Sequence, residues 1–93
     1  MPTIRMGTIA SLVRSVLDPT GTRSIEWDEP IARTIPGGAA ALAAYAVYLN
    51  KAPQFAGYGL ALEPTDMAKV KRPRDLVKVV GNWFTGAGWT LTL

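Results

Sequence analysis

The 93-residue sequence contains neither cysteine nor histidine. Without cysteine, the chain has no disulfide, no thiolate-bound zinc or iron–sulfur cluster, and no cysteine nucleophile. Without histidine, it lacks the commonest general base and the commonest ligand for transition metals. Composition alone therefore excludes most familiar designs of enzyme active site and metal centre.

Motifs that support catalysis without these two residue types are also missing. None of the serines, Ser11, Ser15 and Ser24, lies three residues before a lysine or within a G-x-S-x-G elbow. The G-x-G segments at 57–59 and 86–88 lack the third glycine of a dinucleotide fingerprint, and no Gly-Lys-Ser/Thr follows them. We therefore expect no enzymatic activity, no cofactor and no bound metal.

The tightest group of carboxylates also favours a structural interpretation. Glu26, Asp28 and Glu29 lie beside Pro30, where we expect a turn. Spacing does not place any two carboxylates in one cleft with separated pKa values. We expect a solvated turn, and the functional alternative is an acidic edge that pairs with a basic patch on a neighbouring chain.

Apolar runs long enough to cross a membrane are absent as well. The longest, residues 37–49, would form a helix about 20 Å long, against about 30 Å of bilayer hydrocarbon. Arg5, Arg14 and Asp18 interrupt the N-terminal segment, so the apolar core of a signal peptide does not form. We expect no secretion by signal peptide, no membrane span, and a location in the cytoplasm or in a virion.

The remaining composition is that of a small folded protein. Hydrophobic residues make up 48% of the chain and charged residues 18%, whereas disordered chains combine low hydrophobicity with high net charge. Ten basic and seven acidic residues give a net charge of +3, too mild to require an anionic partner. The length predicts a single domain over residues 1–93.

The first half of the chain predicts one helix, one turn and a hairpin. An apolar helical face is formed by Ile9, Leu12, Val13, Val16 and Leu17. Thr8 is the expected N-cap, and residues 18–21 match a type I turn. Alternation over residues 23–27 and 31–35 predicts two strands that pair as a hairpin.

The second half predicts helices and strands in turn. Residues 39–49 favour a helix, 55–62 a strand, and 63–66 a turn leading into a short helical piece with Met67 and Val70. Residues 73–84 favour a helix, with a hairpin turn at Gly81-Asn82 as the alternative. Residues 89–93 alternate as a terminal strand. The expected fold is α+β, with two or three helices packed on a small, mainly antiparallel sheet.

The alanine-rich helix predicts an interface with another chain. It is apolar or small at every position apart from two tyrosine hydroxyls, and a domain of this size has too little interior to surround it. The terminal strand adds an apolar face that should be paired. The predicted interface residues are Ala39, Ala40, Ala43, Ala44, Tyr45, Tyr48, Trp89, Leu91 and Leu93.

One basic segment, Lys69 to Lys78, raises a second possibility. It carries five cations against Asp75, and aromatic residues follow it. Cations beside aromatic rings are typical of single-stranded nucleic acid binding, although a basic run is commonly a solvated face. The candidate nucleic-acid-binding residues are Lys69, Lys71, Arg72, Arg74, Lys78 and Trp83.

Together these features predict a non-catalytic structural or assembly protein within a larger multi-subunit complex, with a virion or similar shell as the first expectation. Its partners would be other protein subunits, in a homo- or hetero-oligomer. The alternatives are a nucleic-acid-binding or regulatory module that uses the basic segment, and a small inhibitor or adaptor that binds one protein partner.

Overall fold

The computed structural model describes residues 2–18, 20–21, 25–35 and 37–93, without the side chains of residues 38 and 39. The described residues form six elements of α-helix and strand, in the order β1 Thr3–Arg5, α1 Met6–Leu17, α2 Leu42–Lys51, α3 Pro53–Ala56, α4 Pro73–Gly86 and β2 Thr90–Thr92. Short 3-10 helices lie at Ile31–Arg33, Gly38–Ala41 and Pro64–Met67. The described part of the chain is mostly helical, so the expected α+β fold with a mainly antiparallel sheet is wrong.

Helix α1 follows its sequence pattern closely. Of the predicted face, four residues are buried and Leu12 is partly buried against the same core. The helix begins at Met6 with Arg5 at the N-cap, so the prediction of Thr8 as the cap is wrong. The Gly21 N–H donates to the Asp18 carbonyl at 3.2 Å, as a turn requires, while Pro19 lies outside the described residues.

The predicted hairpin is wrong wherever the structure describes it. Residues 22–24 lie outside the described part, and residues 25–26 are not in a strand. Ile31–Arg33 is a 3-10 helix, and the Ile35 N–H donates to the Ile31 carbonyl at 3.1 Å. Both isoleucines are buried, because a spacing of four residues places side chains on one side of a helical turn as well as on one face of a strand.

The strand expected over residues 55–62 is also wrong. Pro53 begins α3, a short helix that buries Phe55, and Gly59 then turns the chain with a φ of +70°. Leu62 is buried without strand pairing. Its N–H donates to Asn50 Oδ1 at 2.8 Å, and its carbonyl accepts from Asn50 Nδ2 at 2.9 Å. One side-chain amide therefore supplies the two hydrogen bonds that a neighbouring strand would have made.

Helix α4 confirms the helical interpretation of residues 73–84, with Pro73 in its first turn and Gly81-Asn82 in its interior. The helix ends in a Schellman motif. The Trp89 N–H donates to the Phe84 carbonyl at 3.0 Å, and the Gly88 N–H donates to the Thr85 carbonyl at 3.2 Å. Gly88 has a φ of +96°, a conformation that glycine adopts without the steric cost of a Cβ atom.

Strand β2 confirms the predicted terminal strand, but its partner is the N-terminal strand β1. The two strands run parallel, in the register Thr3 to Thr90, Ile4 to Leu91 and Arg5 to Thr92. A parallel pair needs a long crossover, and here every helix lies between the two strands. Strand β1 contacts α1, β2 contacts α4, and these two helices pack against each other. Helix α2 packs mainly against the 3-10 helix Pro64–Met67.

Candidate interaction surfaces

Helix α2 has one buried side and one apolar side that faces solvent. Leu42, Ala46 and Leu49 are buried in the core. The exposed apolar side, here called the α2 face, consists of Ala43, Ala44, Val47 and Tyr48 of α2, together with Ala40 of the preceding 3-10 helix. The helix forms because alanine and leucine have the highest helix propensities, and this composition leaves no charged residue before Lys51 at its end.

The α2 face contains two large side chains in addition to its alanines. Val47 and Tyr48 are 46% and 54% exposed, and the Tyr48 ring stacks on the partly buried Tyr45 ring with centroids 5.2 Å apart. Beside Tyr48, a recess of about 300 Å³ extends towards α1 and α3. Its lining residues are Ser15, Val16, Tyr48, Lys51, Ala52, Pro53 and Gln54.

The structure places most of the predicted helical interface on this face. Ala40, Ala43, Ala44 and Tyr48 are exposed, Tyr45 is partly buried, and the side chain of Ala39 lies outside the described part. Val47 was not predicted, although its position three residues after Ala44 and four after Ala43 is a helical signal that identifies it.

The C-terminal residues of the predicted interface do not form one surface. Trp89 is partly buried and packs edge-to-face on Phe84, with centroids 5.3 Å apart, and on Tyr58 at 5.5 Å. Leu91 is also partly buried and lies over Gly81 of α4. Leu93, in contrast, is fully exposed, with a relative exposure of 105%. Trp89 and Leu91 therefore serve the chain's own packing.

The basic segment is divided between paired and unpaired cations. Arg74 donates from Nε to Asp28 Oδ1 at 2.8 Å and from Nη2 to Asp28 Oδ2 at 3.0 Å. Arg72 lies 3.7 Å from Asp75 and 4.0 Å from Asp28. For Lys69, Lys71 and Lys78, the described residues provide no carboxylate within 4.0 Å. Asp28 lies exposed in the predicted turn, but its pairing with arginines 44 and 46 positions away has no signal in local sequence.

Backbone hydrogen bonds explain how Asp28 reaches the basic segment. The Arg74 N–H donates to the Trp27 carbonyl at 3.1 Å, and the Ile31 N–H donates to the Lys71 carbonyl at 2.8 Å. Residues 27–31 therefore run alongside the start of α4. Hydrogen bonds from Arg74, followed by the charges of Arg74 and Arg72, lower the pKa of the Asp28 carboxyl.

Asp75 caps the first turn of α4. Its Oδ2 accepts the backbone N–H groups of Lys71 at 3.1 Å and Arg72 at 3.2 Å. Burial alone would raise the pKa of Asp75, but these hydrogen bonds and the nearby charges of Arg72 and Lys78 lower it overall. The carboxylate is thus held in its charged form at the positive end of the helix.

Two grooves flank Lys78 on the surface of α4. The larger, of about 520 Å³, lies between α4 and the 3-10 helix Pro64–Met67 and is here called the lysine–tryptophan groove. Its lining residues are Leu62, Thr65, Asp66, Lys69, Asp75, Lys78, Val79, Asn82 and Trp83. The smaller, of about 350 Å³, is lined by Met6, Gly7, Ala10, Trp27, Arg74, Val77 and Lys78. Three of the predicted nucleic-acid-binding residues therefore meet in the larger groove.

The described side chains contain no cluster of three or more carboxylate, imidazole or thiol groups arranged to hold a metal ion. Within the same part of the chain, every helix falls short of the length and apolar character that a membrane crossing requires.

Comparisons of the chain with protein-family models, with curated proteins and with solved structures found no match.

Proposed function

We propose that the protein is a small, non-catalytic assembly subunit that associates with further copies of itself through the α2 face. The observation that carries this proposal is the exposure of Val47 and Tyr48 next to alanines, on a helix side without charge. A virion shell is one assembly in which such a subunit would serve.

Three properties of the α2 face support self-association. Small side chains at Ala40, Ala43 and Ala44 allow a second helix to approach closely. The α2 face itself carries no charged residue, and the nearest charge along the helix is Lys51 at its end. The stacked tyrosine rings offer a large, rigid apolar surface, which is the kind of group enriched at protein interfaces.

The size of the face sets the expected strength of association. Helix α2 has 10 residues and is therefore about 15 Å long, so its exposed side is small beside the roughly 800 Å² per partner of a standard stable interface. The recess next to Tyr48 extends the surface. We therefore expect weak association that grows with protein concentration, rather than a permanent dimer.

Sedimentation velocity over a range of protein concentrations tests the proposal. The wild-type mass should rise with concentration, whereas Val47→Asp should remain monomeric because association would bury an unpaired carboxylate. Ser11→Asp is the matched control, because it adds the same charge at an exposed position of α1. A wild-type chain that stays monomeric throughout, or equal masses for the two variants, would contradict self-association through this face.

A further inference from the structure

The lysine–tryptophan groove carries two cations that form no contact ion pair with the described residues. Lys69 and Lys78 both line it, and among the described residues neither has a carboxylate within 4.0 Å. The groove also contains Asp66 and Asp75, which offset this charge in a simple count. Whether the groove attracts an anion therefore depends on the groups that each carboxylate already contacts.

Both carboxylates are engaged by backbone groups. Asp66 Oδ2 accepts the Glu63 N–H at 2.8 Å, at the start of the 3-10 helix. Asp75 accepts two backbone N–H groups at the start of α4 and lies 3.7 Å from the Arg72 guanidinium. The N-terminal end of α4 further offsets the Asp75 charge. Lys69 and Lys78 are therefore not held in a contact ion pair that an anionic ligand would have to break, although the charge of Lys78 also acts on Asp75.

The same groove is lined by an aromatic side chain and by an amide. Trp83 is partly buried, and its ring is held edge-to-face by Phe84 at 5.2 Å and 83°. Asn82 is exposed beside it and supplies both a hydrogen-bond donor and an acceptor. The groove volume of about 520 Å³ is within the usual range for small-ligand sites.

We propose that the lysine–tryptophan groove binds one nucleotide unit, with its phosphate at Lys69 and Lys78 and its base stacked on Trp83. Anionic phosphate matches the two available ammonium groups, and a base matches the aromatic ring. The Asn82 amide can pair with a base edge. This site is separate from the α2 face and does not depend on self-association. The unit could belong to a free mononucleotide or to a single strand.

Binding of a fluorescein-labelled oligothymidylate to the full chain, measured by anisotropy at several salt concentrations, tests the site. The double variant Lys69→Gln/Lys78→Gln should lose on the order of tenfold in affinity or more, and its salt slope should flatten by about 0.7, the contribution of the one phosphate that the two lysines share. The matched control, Arg5→Gln/Arg14→Gln, removes two exposed positive charges elsewhere and should bind like wild type.

A competition measurement identifies the source of the nucleotide, and substitutions of Trp83 test the role of stacking. Thymidine monophosphate that competes with the strand indicates a free nucleotide as ligand, whereas competition by strands alone indicates single-stranded nucleic acid. Trp83→Leu should weaken binding, and Trp83→Phe should restore part of it because an aromatic face remains. The far-ultraviolet circular dichroism spectra of both variants should match that of the wild type, so that a loss of affinity is not a result of unfolding.

Three results would overturn the nucleotide site. The first is the absence of oligothymidylate binding by the wild-type chain. The second is an equal loss of affinity in the two double variants, which would indicate attraction by net charge alone. The third is equally tight binding of an oligoglutamate peptide with the same sensitivity to Lys69→Gln/Lys78→Gln, which would indicate an acidic protein segment as ligand.

Discussion

The guanidinium of Arg74 donates two hydrogen bonds to the carboxylate of Asp28, at 2.8 and 3.0 Å, across 46 positions of the sequence. The bidentate geometry fixes the orientation of both groups, as planar guanidinium–carboxylate pairs do. Both side chains remain largely exposed, so the pair aligns residues 27–31 with α4 more than it stabilises the fold.

Arg74→Gln should raise the pKa of Asp28 towards its usual range. Its lowered pKa comes first from the Arg74 hydrogen bonds, and Arg72 at 4.0 Å remains in the variant to limit the change. A carboxyl with a lowered folded-state pKa stabilises the protein above its unfolded-state pKa, and that contribution disappears as the pH falls through the folded-state value. Titration of the Asp28 carboxyl by NMR measures the change. Arg14→Gln should leave this titration unaltered, and an unchanged Asp28 pKa in Arg74→Gln would contradict the pairing.

Ala46→Leu should destabilise the protein, whereas Ala43→Leu on the other side of α2 should not. Ala46 is 0% exposed, so leucine would overfill the core and lower the free energy of unfolding by about 1–3 kcal/mol. Ala43 is exposed, so leucine there should leave the stability of the monomer nearly unchanged. Urea denaturation at low protein concentration measures both values. Equal losses of stability would show that the orientation of α2 is wrong.

Gly81→Ala should stabilise the protein by about 0.5–1 kcal/mol, because alanine has the higher helix propensity. A Cβ atom at this position would lie 3.5 Å from both Leu91 Cδ2 and Met6 Sδ, which is ordinary van der Waals contact. Gly88→Ala should instead cost about 1–2 kcal/mol, because its φ of +96° is strained for any residue with a Cβ. Thermal unfolding compares the two variants, and a destabilised Gly81→Ala would indicate that the α4–β2 packing is tighter than described.

Deletion of residues 90–93 should destabilise the folded monomer by on the order of 1–2 kcal/mol, through loss of the β1–β2 ladder and of the Leu91 contacts. Removal of Leu93 alone is the control, because this side chain is fully exposed. Thermal unfolding distinguishes the two truncations. A four-residue truncation as stable as wild type would mean that the terminal strand contributes nothing to the fold.

The sequence predicts the elements whose signal is local. The apolar periods of α1 and α4 each continue over about 2.5 turns, and the glycines at 86 and 88 identify the end of α4. The predicted hairpin failed because five alternating residues at 31–35 fit one helical turn equally well. The partner of β2 could not be inferred, because β1 has three residues and lies at the opposite end of the chain.

The candidate surfaces likewise combine features that local sequence predicts with features that depend on contacts between distant segments. Exposure of Ala43, Ala44 and Tyr48 follows from a helix with no polar stripe in a chain too short to bury it. The pairing of Arg74 with Asp28 depends on backbone contacts between distant segments, so the number of free cations in the basic segment could not be predicted. The burial of Trp89 depends likewise on Tyr58 and Phe84.

Protection of a single thiol on the α2 face tests self-association most directly, since the natural chain has no cysteine to interfere. Val47→Cys places the thiol on this face, and Ser11→Cys places one at an exposed position of α1. The rate of reaction with a maleimide should fall for Val47→Cys as protein concentration rises, while the rate for Ser11→Cys stays constant. A Val47→Cys rate that stays as constant with protein concentration as the Ser11→Cys rate would contradict burial of the α2 face between copies.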